Sequence, residues 1–595
     1  MSEAEIVSYE FGPFRLDMQR YLLICNGEPI QLSPKALKTL LVLIENREHV
    51  VRKDELLKSI WPDAHVEESN LAQNIFVIRK VLAEGDNERY IVTIPGTGYR
   101  FVGKVAEKRA DQDLPRRLSA DLMSPSLTEA GTLIAVLPFK CLSGGEDEIL
   151  GLGLADALIT RLSNLKQVKV RPTSSVLRYR ELRDDLTVVG RELRVDALVD
   201  GVFQRVNEQI RVSVQFVRVT DGVTLWAAKF DERMTNIFSI QDSISEQVAG
   251  ALAVKISGDE QRRLRKNYTA NTEAFQHFIR GRYFWNQRTL EGLRKSMSCA
   301  EQAIALDPTY APAYVGLADS YNLLAHVGLA PKDTFPKARA AAKLALEIDP
   351  LLAEAYVSLA FINYRFDWCF DEAEKNFLRA IELKPNYSTA HHWYGEALAS
   401  AGQFEESLKA LQRSQDYDPL SLPISTDLAE TLYFARRYED CEAQLRKTLE
   451  MDPNFIRAHI FLGAALEQMQ RYDEAIASLT LAVELSKQNS FAVSALGHVY
   501  ASMGKRGPAL ETLQLLKQRS SEQYCSPYNI AMVYAGLGDK ENALALLEEA
   551  VEARDVWMVW LPVTARFEFL RGDERFAKLL AQVRCSSPNV KEGSG

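Results

Sequence analysis

ESNLAQNIFVIRKVL, residues 68–82, decides the fold of the first part of this chain. Leu71, Ile75, Ile78 and Leu82 recur at i, i+4, i+7 and i+11, which places them on one stripe of an α-helix facing a core. Asn70, Gln73, Val77 and Lys80 then point away from that stripe. A face of amides, one methyl-bearing residue and a cation suits the major groove of double-stranded DNA, where amides pair with adenine edges and valine touches a thymine methyl. Arg79, on the flank, is in reach of phosphate.

The flanking sequence supplies what such a helix needs. Ser33-Pro34 reads as a helix cap and first-turn proline, with Leu37, Leu40, Leu41 and Ile44 as the apolar stripe that follows. A second short helix is expected around Lys53–Ile60. Downstream, YIVTIPGTGYRFVG at 90–103 reads as two strands around a Pro-Gly-Thr-Gly turn, and Arg100 on this hairpin is expected near the DNA backbone or minor groove.

In order, FGPFRLD, QLSPKALKTLLVLIENREHVVRKDELLKSIWP, NLAQNIFVIRKVL and TIPGTGYRF resemble the OmpR/PhoB-type winged helix-turn-helix, over about residues 8–103. That family is the output module of phosphorelay response regulators and also occurs in ToxR- and CadC-like regulators. The resemblance implies that Asn74, Val77 and Arg79 face DNA from the helix, and that Thr93, Thr97, Tyr99 and Arg100 belong to the contacting wing. Two departures stand out. Phe76 and Val77 occupy positions where basic or polar residues are frequent, and Pro95 replaces an arginine often found before the wing glycine. Only a few residues precede the first expected strand, so no phosphorylated receiver domain is expected there.

Charge does not advertise the same partner. The chain of 595 residues has a net charge of −9, and residues 1–104 hold 13 Lys plus Arg against 15 Asp plus Glu. DNA binding therefore rests on where the cations sit, not on their sum. With 47% hydrophobic and 25% charged residues, most of the chain is expected to fold, and its length requires several domains.

From about residue 270 a repeat takes over. Pro308, Pro350, Pro385, Pro419 and Pro453 are spaced by 42, 35, 34 and 34 residues, the period of the tetratricopeptide repeat. Small residues fall in phase where two helices cross: Gly463 with Ala475 and Ala482, Ala373 with Ala380, Ala338 with Ala345. Gly402-Gln403-Phe404, Arg437-Tyr438 and Arg471-Tyr472 mark the turns between helices. About eight units are expected over 270–556, with a cap and tail at 557–595.

Between these regions, 106–130 reads as a linker and 131–260 as an α/β domain of alternating strands and helices, opening with LIAVLPF. The middle domain resembles the TolB N-terminal-like domain, which implies no reaction. Gly144-Gly145 and Gly151-Leu152-Gly153 lack a phosphate-cradling order, and Ser174-Ser175 lack a nucleophile context. Neighbouring His391 and His392 point in different directions on a helix, and the seven cysteines show no C-x-x-C pair. No catalytic, cofactor or metal site is assigned.

The expected architecture is multidomain: an α+β winged helix-turn-helix, an α/β domain and an all-α tetratricopeptide-repeat solenoid. Without a signal peptide or an apolar run of 18 residues, a cytoplasmic protein away from the membrane is expected. Its expected function is that of a sequence-specific transcriptional regulator, with duplex DNA as one partner and a protein or peptide in the repeat groove as another. RNA polymerase contact and self-association on DNA are further expectations. The alternative is a repeat scaffold whose winged helix docks protein.

Overall fold

The computed structural model describes residues 6–583 except 18–21, 26–27, 31, 33, 48, 61–67, 83–89, 95–96, 110–131, 143–147, 164, 166, 181–184, 234–236, 253–267 and 522. Ser33, the turn residues Pro95 and Gly96, most of the expected linker and the tail beyond 583 thus lie outside the described residues, as do the side chains of Asn70 and Gln73. The chain divides into two units, 1–124 and 125–595.

In the first unit, β1 (Ile6–Phe11), β2 (Phe14–Asp17), β3 (Leu22–Cys25) and β4 (Glu28–Ile30) precede α1 (Pro34–Glu45), β5 (Val51–Arg52), α2 (Lys53–Ile60) and α3 (Glu68–Val81). The hairpin β6 (Ile91–Ile94) and β7 (Gly98–Phe101) follows, then β8 (Ala106–Arg109). One sheet has the order β4-β3-β2-β1-β8, and a smaller one the order β5-β7-β6. The first four residues of the expected linker are thus a strand. Pairing with β8 gives the backbone groups along β1's second edge partners they would otherwise lack. Gly98 is required where β7 meets β5, since a Cβ there would lie 2.0 Å from the Val51 carbonyl oxygen.

The second unit begins with β9 (Thr132–Val136), β10 (Lys140–Cys141), α4 (Glu148–Leu162), β11 (Val168–Val170) and the short α5 (Thr173–Val176) and α6 (Leu186–Glu192). Then come β12 (Ala197–Val206), β13 (Gln209–Arg218), β14 (Thr224–Arg233) and α7 (Ile237–Ala251). The sheet order is β11-β9-β12-β13-β14, parallel among the first three strands and antiparallel beyond. Arg161 on α4 pairs with Asp242 on α7, so the two helices are tied by charge as well as by apolar packing.

Helical hairpins fill the rest: 272–286 with 290–306, 311–324 with 331–348, 353–362 with 370–383, 388–400 with 404–417, 422–434 with 438–451, 456–468 with 472–485, 490–502 with 506–520, and 527–536 with 540–552. The small residues sit at the crossings. A Cβ at Gly463 would lie 2.4 Å from Leu479, and one at Gly395 would lie 2.6 Å from Leu411. Backbone conformation repeats with the sequence: positions 402, 436, 470, 504 and 538, each 34 after the last, all have φ between 60° and 82°. Gly, Arg, Gln, Gly and Gly occupy them, each ending the first helix of its pair.

Beyond Glu552 the chain does more than cap the array. Arg554 lies over Trp368, the Val556 carbonyl accepts from Arg365, Trp557 stacks on Phe491, and Trp560 stacks on Phe434. Arg566 pairs with Glu467 and Glu568 with Arg436. All these partners lie on, or just after, the first helices of the third to seventh pairs. Residues 554–568 therefore run along the face these helices share. The groove expected to hold a partner is filled there by the chain's own C-terminal segment, because that segment carries Met558, Val559, Trp560 and Leu561, all buried by it.

Candidate nucleic-acid interface

The core stripe read from the sequence holds α3 in place: Leu71, Ile75, Ile78 and Leu82 are all buried with Leu40, Ile44 and Leu56. Polar contacts fix its rotation and height. Asn74 Nδ2 donates to Thr39 Oγ1 on α1 at 3.3 Å, and Arg79 donates to the Ile91 carbonyl at 2.8 Å and to Thr93 Oγ1 at 2.9 Å. Lys35 Nζ donates to the Ile60 carbonyl at 2.7 Å, joining α1 to the end of α2. Helix and hairpin are thereby locked to one another.

These contacts sort the sequence-derived residues. Lys80 on α3 and Thr93, Thr97 and Arg100 on the hairpin are exposed, and Val77 is half-buried. Asn74 and Arg79 are engaged within the domain; Arg79 Nη2 bonds to β6, which fixes the guanidinium against the hairpin. Tyr99 is 7% exposed and pairs across from Val51, so its ring supports the wing from within instead of facing outward. Alternation along β7 explains the difference: Arg100 faces out between the buried Tyr99 and Phe101.

One residue that the sequence reading named only as a departure from the family pattern lies on the outward face. Phe76 is 62% exposed and lies one turn before Lys80, with Ala72 a turn earlier again. Its distance around the helix from the buried stripe was the available signal. A phenyl ring there offers apolar contact to thymine methyls or sugars, which amides and cations do not.

Residues 27–101 match the family described as Transcriptional regulatory protein, C terminal, and 130–247 match the second domain of HilA/YgeH-like transcriptional regulators. The chain is built from the domains of a transcriptional regulator. Tetratricopeptide repeats of the regulator are matched at 370–421, 426–490 and 528–555. The regulator is 25% identical over 417 residues to the transcriptional regulator HilA of Salmonella typhimurium, covering 69% of this chain and 70% of that protein. It is 29% identical over 102 residues to the phosphate regulon regulatory protein PhoB of Escherichia coli, covering 17% of this chain and 44% of PhoB. A putative adenylate cyclase 3 of Rhizobium meliloti is 28% identical over 194 residues, 32% of this chain and 33% of that protein. The middle region, which resembles the TolB N-terminal-like domain in sequence texture, is thus matched as a regulator domain. No helix among the described residues is long and apolar enough to cross a membrane.

Proposed function

We propose that the winged helix lays α3 in the major groove of duplex DNA and sets the β6–β7 hairpin against the adjacent backbone. The observation that supports this most is the Arg79 bridge, which holds the exposed face of α3 and exposed Arg100 of the hairpin in one fixed relation. In this reading Gln73, Val77 and Phe76 read base edges, Asn70 and Lys80 flank them, and Thr93, Thr97 and Arg100 contact phosphate. Asn74, Arg79 and Tyr99 position that surface. Fluorescence anisotropy of the full chain on a selected duplex and a scrambled one, at stepped salt, tests it. Affinity should fall linearly in log salt, and the selected duplex should win at every step. Salt-insensitive binding, or equal affinity for both duplexes, would favour the reading in which exposed Phe76 docks a protein.

The same reading makes the chain a cytoplasmic regulator and not an enzyme, supported by similarity to HilA over more than twice the length shared with the cyclase-named protein. One winged helix makes few phosphate contacts, so two copies on adjacent half-sites, in contact with RNA polymerase, would give useful occupancy. Sedimentation on a two-site duplex showing one copy per DNA would count against self-association. The repeat array receives a protein or peptide partner, and the C-terminal segment along its inner face is what that partner meets first.

A further inference from the structure

The α/β domain and the solenoid, both within the second unit, meet along a polar seam. Arg171 spans it, donating from Nε to the Leu193 carbonyl at 2.8 Å and from Nη1 to the Tyr417 carbonyl at 3.0 Å. Ser174 Oγ donates to Asp418 at 2.6 Å, and Ser175 donates to the other oxygen of the same carboxylate. Beside the seam the two modules leave a cavity of about 570 Å³, walled by α4, α5, the whole length of the first repeat helix (272–286) and the leading ends of the first helices that follow it. That volume lies in the range that holds small ligands, roughly 300–1,000 Å³.

The polar groups around this cavity are not all paired. Its carboxylates all accept hydrogen bonds: Asp156 from Thr173, Glu354 from Lys384 at 2.9 Å, Asp418 from the two serines and Asp452 from the Asn454 N–H at 2.9 Å. Arg161 is paired with Asp242. Arg282 and Arg288 are different. Their guanidinium carbons lie 5.5 and 3.6 Å from the centroid of the same indole, that of Trp285, and among the described residues neither guanidinium makes a hydrogen bond or an ion pair. Trp285 is 6% exposed and its Nε1 has no acceptor. Burial pushes Arg288 down to about 10 against the opposing charge of Asp319, whereas at Arg282 burial is outweighed by nearby carboxylates, Asp156 foremost, which raise it; neither carboxylate is in ion-pair contact with these guanidiniums. All three side chains line the cavity, whose other walls include Phe278, Tyr310 and Tyr387.

We propose that this cavity binds a small anionic ligand, a carboxylate or phosphate carried on an apolar or aromatic body. Arg282, Arg288 and the indole N–H of Trp285 take the anion, and the ring side chains of Phe278, Tyr310 and Tyr387 surround the body. Because the walls come from two modules, the occupant ties the α/β domain to the solenoid and gives the regulator an input separate from its DNA face.

Benzoate and phenyl phosphate, with benzyl alcohol as the neutral counterpart, are suitable probes on the full chain by calorimetry and thermal unfolding. At least one anion should bind and raise Tm in proportion to log concentration, while benzyl alcohol should not. The anion that binds identifies the acid class. Arg288→Gln and Arg282→Gln should each weaken binding about tenfold or more, the scale of one charged hydrogen bond. Gly316→Leu provides a test that removes no charge: a Cβ there has just Phe278 Cε2 within reach, at 3.9 Å, so the larger side chain enters the cavity and should abolish binding. Arg178→Gln, at an exposed pair with Glu192, should leave it unchanged. No binding of either anion at millimolar concentration, equal binding of benzyl alcohol, or full binding by Gly316→Leu would overturn the proposal, even if the arginine variants fail to fold.

Discussion

Phe434 and Trp560 stack with ring centroids 4.5 Å apart and planes 10° from parallel, although one ends the first helix of the fifth hairpin and the other lies beyond the eighth. The contact fastens the C-terminal segment to the face that a repeat array ordinarily offers to partners. Trp560→Ala should therefore cost about 3–5 kcal/mol in chemical denaturation, the range for truncating a buried large aromatic. It should also expose 554–570 to protease before the rest of the solenoid is cut. Unchanged stability and unchanged cleavage would mean that the segment is held by its ion pairs alone.

Arg79 and Lys80 are adjacent, and their substitution should separate positioning from contact. Arg79→Ala removes two hydrogen bonds to β6 and should destabilise the winged helix by about 1–3 kcal/mol, read by thermal unfolding of the first unit's transition. Lys80→Ala should leave stability within about 0.5 kcal/mol and lower the log–log salt slope of DNA binding by about one. The opposite pattern would reverse the two roles.

Phe76→Ala changes a side chain that is mostly in water, so stability should move by no more than about 0.5 kcal/mol. DNA affinity should nevertheless fall, and more for a site with thymine under the ring than for one without. Equal affinity of the variant and the parent for both sites would remove Phe76 from the interface.

Acid should loosen the inner face through Glu467. Burial works against its charge, but His498 and Arg566 more than offset this and hold the carboxyl down to about 2. A carboxylate depressed in the folded state contributes stability that is complete above its ordinary value near 4.5 and is lost as pH falls toward 2. Denaturant titrations between those limits should show a loss of about 3 kcal/mol from this group. Glu467→Gln should flatten that part of the profile; an unchanged profile would assign acid sensitivity to other carboxylates.

The sequence was most informative where a short-range pattern forces a packing outcome. The stripe Leu71, Ile75, Ile78 and Leu82 is buried because no other face of that helix is continuously apolar. The period of 34 reappears as a left-handed residue after the first helix of successive pairs. By contrast, Asn74 and Arg79 read as outward residues, and their engagement depends on Thr39 and on strand β6, which are distant in the chain. Ala106–Arg109 carried no strand signal, since its reason for being a strand is the open edge of β1.

What the sequence alone determined is therefore the kind of each module and the apolar side of each helix, since both follow from spacing along a single segment. Only the tertiary structure decided which polar groups are left to meet a partner. Side chains compete for acceptors across the whole molecule: Arg79 found β6, Asp418 found two serines, and half-buried Arg282 and Arg288 lie over one indole with no carboxylate in ion-pair contact among the described residues. The same holds for the face shared by the first helices of the repeats, which residues 554–568 of the same chain occupy through their aromatic and charged contacts.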